Sequence, residues 1–391
     1  MTRLLVVCRH FWPSCSEAVY RLVEWTDALA EAGVAVTLLT ARWHHRWPAE
    51  SAFRRVRLVR LLPAPTSNWN DGFFLRNLWQ WVERHRGDFD SVYLDSLSVV
   101  PPAKFRGRLG DTPLAVRFDA ALPGDVGGAF ATGGLSPAAR SLLARSDIRV
   151  VVDSARAHRG AVAAGAADRA VVRLPQAVWH AADSAAARRS ESRKALAQIN
   201  RDFFVPDRLP LLVCFFEDRL PDEEHGFLKS LRRLLDPVPQ LRCWVFGAGD
   251  SVRRHYSLLK DMDCHHDVLL HAPLDQPSHL LRAADLVMCP APGVGRQYYY
   301  SASLAAGTPL LTDRDAGGDG SRLLSAVDAF LAGREDLGLW DAAARISRLE
   351  ESLAIGDDRQ HAADRLRECF PWAAHRRATL QRWLQLFAPA A

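Results

Sequence analysis

The residues best able to do chemistry lie between Asp285 and Thr312, where the chain reads DLVMCPAPGVGRQYYYSASLAAGTPLLT. The pattern predicts a short buried strand over Leu286 to Cys289, a Pro/Gly loop from Pro290 to Gly295 and a helix from Gln297 to Ala306. A Gly-Thr-Pro turn and a strand at Leu310 and Leu311 follow. A strand, a glycine loop and a helix N-terminus in that order form a cradle for an anion. The first backbone N–H groups of a helix have no partner within it, and the helix dipole places its positive end there. Gly293 and Gly295 let the backbone approach a ligand closely, and Arg296, Gln297 and Ser301 complete the cradle. Gly247 and Gly249 form a second glycine turn directly after an apolar run. The plainer alternatives stay open at this point: Arg296 as a solvated first-turn residue, and Gly247 and Gly249 as a tight turn without a ligand.

Other chemistries fit less well. There is no G-x-x-x-x-G-K-[ST] phosphate loop and no G-x-S-x-G nucleophile elbow. His44-His45 and His265-His266 are adjacent pairs without a carboxylate at ligand spacing, so no metal site is expected. The seven cysteines are scattered, odd in number and never spaced C-x-x-C, which reads as buried reduced thiols in a cytoplasmic protein. No apolar run approaches the roughly 20 residues that span a bilayer. The net charge of +5 rests almost wholly on arginine. That bias is either genomic or a device for binding phosphates or an anionic membrane surface. Tyr298-Tyr299-Tyr300 spread around their predicted helix, so at least one is expected on the ligand side and the others in packing.

Positioning these residues requires an alternating α/β chain. Strands are predicted at Leu4 to Cys8, Val34 to Thr40, Val56 to Leu62, Ser91 to Leu94, Pro113 to Phe118, Ile148 to Val152 and Ala170 to Leu174. Helices are predicted from Ser16 to Ala32, closed by Gly33, from Asp71 to Arg86, and from near Ser154. After an Ala/Ser/Arg-rich linker and helix, the logic repeats with strands at Leu209 to Phe216, Arg242 to Phe246 and Val268 to Leu270. Helices are expected over Asp222 to Leu235, up to Lys260, and Ser278 to Ala283. The fold class is α/β, with two Rossmann-like doubly wound parallel-sheet domains facing a cleft. The expected domains are 1–183 and 195–369, and the amphipathic helix Trp372 to Phe387 within 370–391 crosses back to the N-domain. In such sheets ligands bind outside the carboxyl ends of the strands.

Several of these segments resemble the GT-B glycosyltransferases of the large retaining family 4 group. The run FWPSCSEAVYRLVEWTDALAEAGVAVTLLT is similar to that family's first glycine loop and helix. Pro175 to Trp179 stands at its domain junction, and VFGAGDSVRRHYSLL at its Gly-x-Gly turn. VLLHAPLDQPSHLLRAADLVMCP is similar to its strand-to-strand run, with His271 where a glycine would stand, and Phe370-Pro371-Trp372 to its terminal helix. The resemblance covers nearly the whole chain. It implies transfer of a sugar from a nucleotide-diphosphate sugar to a glycan, lipid-linked or small-molecule acceptor. It implies no cofactor and no metal, since basic side chains and helix N-termini can carry the charge of the leaving diphosphate. The departures are local. The family's two donor-site glutamates correspond to Val294 and Ala302. Its diphosphate-binding pair corresponds to Arg219 and His225, and its N-domain glycine loop to Ser14, Cys15 and Ser16. Its N-domain histidine corresponds roughly to Asp119, which reads as a general base, an acceptor contact or a turn cap.

Arg42 to Arg86 mixes Trp43, Trp47, Trp69, Trp79 and Trp81 with Arg46, Arg54, Arg55, Arg57 and Arg60. This is the composition of a peripheral membrane contact at the inner membrane surface or of a lipid-linked acceptor site. Partly buried tryptophans beside a solvated basic strand is the alternative. No nucleic-acid module is present. Two functional readings follow: an active transferase with a remodelled donor site, or a catalytically inactive GT-B-fold binding or scaffold protein in glycan assembly.

Overall fold

The computed structural model of the protein describes residues 2–12, 17–101, 112–118, 135–152, 155–174, 189–215, 240–246, 249–271, 277–289, 297–306, 310–312 and 372–387, with single positions at 228, 232, 235, 274 and 308. The chain divides into two compact units. The first comprises Met1–Phe11, Leu22–Gln176 and Arg377–Ala391, and the second Trp12–Arg21 and Ala177–Arg376.

In the first unit the strands are β1 (Arg3–Val7), β2 (Ala35–Ala41), β3 (Glu50–Phe53), β4 (Val56–Leu61), β5 (Ser91–Leu94), β6 (Leu114–Arg117), β7 (Ile148–Val152) and β8 (Val171–Arg173). They form an 8-stranded sheet in the order β3-β4-β2-β1-β5-β6-β7-β8. All neighbours are parallel except the β3–β4 hairpin, whose polar, half-exposed edge strand the apolar pattern did not announce. The buried strands are continuous apolar runs because both faces are covered. On one face Leu5, Val7, Val92, Leu94, Val116 and Val150 pack with Phe74, Leu78, Trp79 and Val82 of helix α2 (Asn68–Arg84). Trp79 donates its indole N–H to the Val99 carbonyl at 3.1 Å, which satisfies the one polar atom it buries.

The opposite face carries Tyr93, which lies level with Val6 in the parallel register. Trp25 of helix α1 (Glu17–Glu31) packs on it with ring centroids 4.9 Å apart. The helix ends where Gly33 takes a φ of +90°, with Gly33 N–H donating to Ala30 and Val34 N–H to Leu29, a closure that only glycine adopts without strain. Helices α3 (Pro137–Leu143) and α4 (Ala155–Ala163) cover β7. The last helix of the chain, Trp372–Phe387, places Trp383 4.5 Å from Trp25 and 5.4 Å from Tyr93, so its C-terminal part returns to the first unit as its apolar stripe predicts.

The second unit has helix α5 (Arg189–Ile199), β9 (Leu211–Phe215), β10 (Arg242–Phe246), α6 (Gly249–Asp261), β11 (Val268–His271), α7 (Pro277–Ala283), β12 (Leu286–Cys289), α8 (Gln297–Ala306) and β13 (Leu310–Thr312); the chain-terminal helix is α9. Its parallel sheet runs β11-β10-β9-β12-β13. Counted in chain order this is 3-2-1-4-5, and the parallel strands of the first unit begin in the same way, so each sheet reverses direction once, next to its first strand. Asp285, just before β12, fastens α5 to the sheet. Its carboxylate accepts from Arg189 at 2.6 Å, from Arg193 at 2.8 Å and from the Leu211 N–H at 2.7 Å. Arg193 is 2% exposed, and its other N–H groups donate to the carbonyls of Ala283, Pro206 and Leu209. A buried guanidinium is tolerable only when satisfied in this way.

Candidate functional site

In a doubly wound sheet the ligand crevice lies outside the carboxyl ends of the two strands that flank the reversal. In the first unit these are β1 and β5, which pair directly. The apolar run of β1 gives way there to Cys8, Arg9 and His10, and that of β5 to Asp95 and Ser96. Each group is held by several elements. The Arg9 guanidinium donates to the Asp71 carboxylate in the first turn of α2, a helix capped by Ser67. An anion there also meets the positive end of the helix dipole. The Arg9 carbonyl accepts from Thr40 at the end of β2, at 3.2 Å, and from the Trp43 indole, at 3.1 Å. The His10 ring lies flat on Trp43, centroids 4.4 Å apart and planes 15° apart. Ser96 caps the turn that follows β5, accepting from the Ser98 N–H at 2.9 Å.

The electrostatics follow from burial. Desolvation first, and then the neighbouring Arg9 cation, push the His10 imidazole down to about 4, so it is neutral at pH 7. Burial, followed by the Asp95 carboxylate, raises the Cys8 thiol and makes it a packing group instead of a nucleophile. The result is a surface with a neutral imidazole, an indole, an Arg–Asp pair and two serine hydroxyls. Such a surface suits a ligand rich in hydroxyls. Arg9, His10, Asp95 and Ser96 belong to no recognisable motif of the sequence. The signal was present, since each pair interrupts an apolar strand at its carboxyl end.

In the second unit the reversal lies between β9 and β12, which pair through Leu212 and Leu286. Of the predicted site residues, Ser14, Cys15, Ser16, Asp119, Arg219, His225, Gly247, Gly293, Val294, Gly295 and Arg296 lie outside the described residues. Gln297 opens α8 as expected, while Gly249, read from the sequence as part of a glycine turn, is the first residue of α6. Ser301 lies one turn into α8, while Ala302 on the same helix is 0% exposed. It belongs to an apolar cluster with Tyr298, Tyr299 and Ala306, packed on Phe215, Phe246 and Leu281. Where the resemblance puts a ribose-binding carboxylate, this chain has closed apolar packing. Tyr298 and Tyr299 are both core residues, with Tyr299 stacked on Phe215 at 4.6 Å. The side chain of Tyr300 lies outside the described set. Thr308 of the Gly-Thr-Pro turn is structural, tying α8 to α7 by donating to the Leu281 carbonyl at 2.6 Å.

The tryptophans between residues 42 and 86 separate cleanly. Trp79 is buried, Trp43 stacks on His10, Trp81 on His85, and Trp47 lies beneath the Arg60 guanidinium at 5.5 Å, while Trp69 is 75% exposed. Cys8, Cys214, Cys243 and Cys264 are free and buried, as the scattered spacing predicts. Among the described residues no three of His, Cys, Asp and Glu gather in a metal-holding group. No described helix is long and apolar enough to cross a membrane.

No protein-family model matches the chain, and no curated protein matches it by sequence. Solved structures do match it in fold. WaaG, a glycosyltransferase involved in lipopolysaccharide biosynthesis, superposes with a TM-score of 0.64 at 14% identity, covering 96% of this chain and 98% of that one. Sucrose-phosphate synthase from Thermosynechococcus elongatus gives 0.66 at 16% identity, with both chains covered completely. Anabaena HepE, solved in complex with UDP-glucose, gives 0.58 at 13% identity, covering 98% of this chain and all of that one. The chain therefore has the GT-B glycosyltransferase fold, as the sequence resemblance implies.

Proposed function

We propose that the protein is a glycosyltransferase, moving a sugar from a nucleotide-diphosphate sugar to a glycan, lipid-linked or small-molecule acceptor. The observation that carries this reading is the extent of the likeness: transferases of this fold match the chain from end to end, through both units. In this reading the segments that leave β9 and β12 hold the diphosphate. Arg219 and His225 come from the first, and Gly293, Gly295 and Arg296 from the second, at the N-terminus of α8. Gly247 and Gly249 add backbone N–H groups after β10. These basic and backbone donors serve without a metal. The ribose has no carboxylate at Ala302, which leaves it the hydroxyl of Ser301 or Ser303 on either side. The acceptor lies on the Arg9–His10–Ser96 surface, with Asp119, two residues past the end of β6, as its carboxylate. The protein works in the cytoplasm, peripheral to the inner membrane surface, and takes no nucleic acid.

A thermal-shift panel of nucleoside diphosphates and nucleotide sugars tests this. The matching donor at about 100 times its Kd is expected to add about 2.7 kcal/mol of stability, unchanged by EDTA. Arg296→Ala is expected to weaken it about tenfold, the cost of one charged hydrogen bond. The second reading, an inactive scaffold, draws on the apolar burial of Ala302. Absence of any nucleotide binding would replace the first reading with it.

A further inference from the structure

The arginines of the first unit's edge fall into two populations. Three of the β3–β4 hairpin's four are paired with acids, Arg54 and Arg55 with Asp27 at 3.6 and 3.3 Å and Arg57 with Glu50 at 3.0 Å, while the fourth, Arg60, is buried and donates to the Pro48 carbonyl and the Ser51 hydroxyl. Arg42, Arg46 and Arg76 have no carboxylate partner among the described residues; the Arg42 guanidinium donates only to the backbone carbonyls of Trp47 and His45. The unpaired group lies beside three of the unit's exposed large apolar side chains, Leu62, Trp69 and Phe73. Trp69 and Phe73 are successive turns of α2's outer face, 75% and 39% exposed, with ring centroids 5.2 Å apart. Arg76 follows on the same face one turn later. Leu62, 48% exposed, is held beside that helix because its carbonyl accepts from Asn77 at 2.8 Å. Arg42 reaches the same place through a backbone bond to Leu61 at 2.7 Å. Asp71, the acid in the first turn of α2, is engaged by Arg9.

We propose that this face is the surface by which the protein docks on an anionic lipid bilayer. Leu62, Trp69 and Phe73 enter the headgroup boundary while Arg42, Arg46 and Arg76 meet the lipid phosphates. An indole favours that depth because its ring is apolar and its N–H stays wet. Cations left without protein carboxylates are those that gain from a negative surface potential. The inference does not rest on sugar transfer, and vesicle binding is measured without nucleotide, so either reading can fail alone.

The test is co-sedimentation of the full chain with vesicles of phosphatidylcholine alone and of phosphatidylcholine with phosphatidylglycerol. Binding is expected to the anionic vesicles and to weaken with salt. Trp69→Ser with Phe73→Ser is expected to lower partitioning about tenfold or more, and Arg46→Gln with Arg76→Gln to lower it and flatten the salt dependence. All four side chains are exposed, so unchanged melting temperatures will show that the variants fold. A native chain that stays in the supernatant with both vesicles overturns the proposal, as do variants that bind like the native protein. So does light scattering that finds a dimer dispersed by Trp69→Ser with Phe73→Ser, which would assign the face to a second copy of the chain.

Discussion

The two sheets reverse at the same place in their strand order and finish that reversal with opposite chemistry. In the first unit the strand ends turn polar: Asp71, Thr40 and Trp43 hold Arg9 and His10 at the end of β1, and Asp95 and Ser96 end β5 beside it. In the second, the helix that follows β12 turns Tyr298, Tyr299 and Ala302 inward, closing an apolar cluster over β9 and β10. One topology thus supplies a polar, aromatic platform in one unit and, on the inner face of α8, only packing. In the proposed reading, recognition in the second unit falls to backbone groups and loop residues, which a helix N-terminus can support without a buried carboxylate.

The contrast breaks most severely at Ala302. Ala302→Glu forces a carboxylate into a fully buried apolar cluster, and is expected to cost about 3–5 kcal/mol in chemical denaturation. A variant as stable as the native chain would mean that this side of α8 opens to solvent, and the contrast would vanish.

The platform of the first unit has a pH signature. His10 titrates near 4 when folded, against about 6.5 when unfolded. Above about pH 6.5 both states are neutral and its contribution is complete. As pH falls toward about 4 the unfolded chain binds the extra proton, so stability drops across that window by on the order of 2–3 kcal/mol and levels off below it. His10→Gln is expected to remove this slope, read from denaturation midpoints measured across the window. An unchanged slope would assign the acid sensitivity to other groups.

The smallest effect compares two helix ends. Gly33 closes α1 in the first unit, while in the second Asp263, at φ 52°, closes α6 with the same pair of bonds, Asp263 N–H to Lys260 and Cys264 N–H to Leu259. A Cβ at Gly33 would meet nothing within 4 Å, so Gly33→Ala isolates the backbone cost of about 1–2 kcal/mol. Asp263→Gly is expected to gain about 0.5 kcal/mol. Melting curves that move both variants in the same direction would show that the two closures are not equivalent.

Most of the strands and helices were legible because buried parallel strands are short, unbroken apolar runs and the helices between them carry a clear apolar stripe; α9 and β12 coincide with their expected limits. The edge strand β3 was not, because ESAF is half polar and its existence depends on pairing with β4. The site was legible only in outline. The order of strand, loop and helix pointed to α8, yet no pattern in QYYYSASLAA says which face of that helix is sealed. That is decided by Phe215 and Phe246, which arrive from far away in sequence. Arg189 and Arg193 looked like part of a polar linker, and only the fold brings them to a carboxylate more than 90 residues later.

That carboxylate has a mechanical consequence. Asp285 sits where β9 and β12 begin, and α5 is pinned to both strands through it. Peeling α5 away would strip two cations from one buried anion and leave the Ala283, Pro206 and Leu209 carbonyls without their donor. A helix that would otherwise fray as a surface appendage is continuous with the strand pair beneath it. The stretch of chain that precedes the second sheet therefore has no lifetime of its own: it lasts as long as that sheet does.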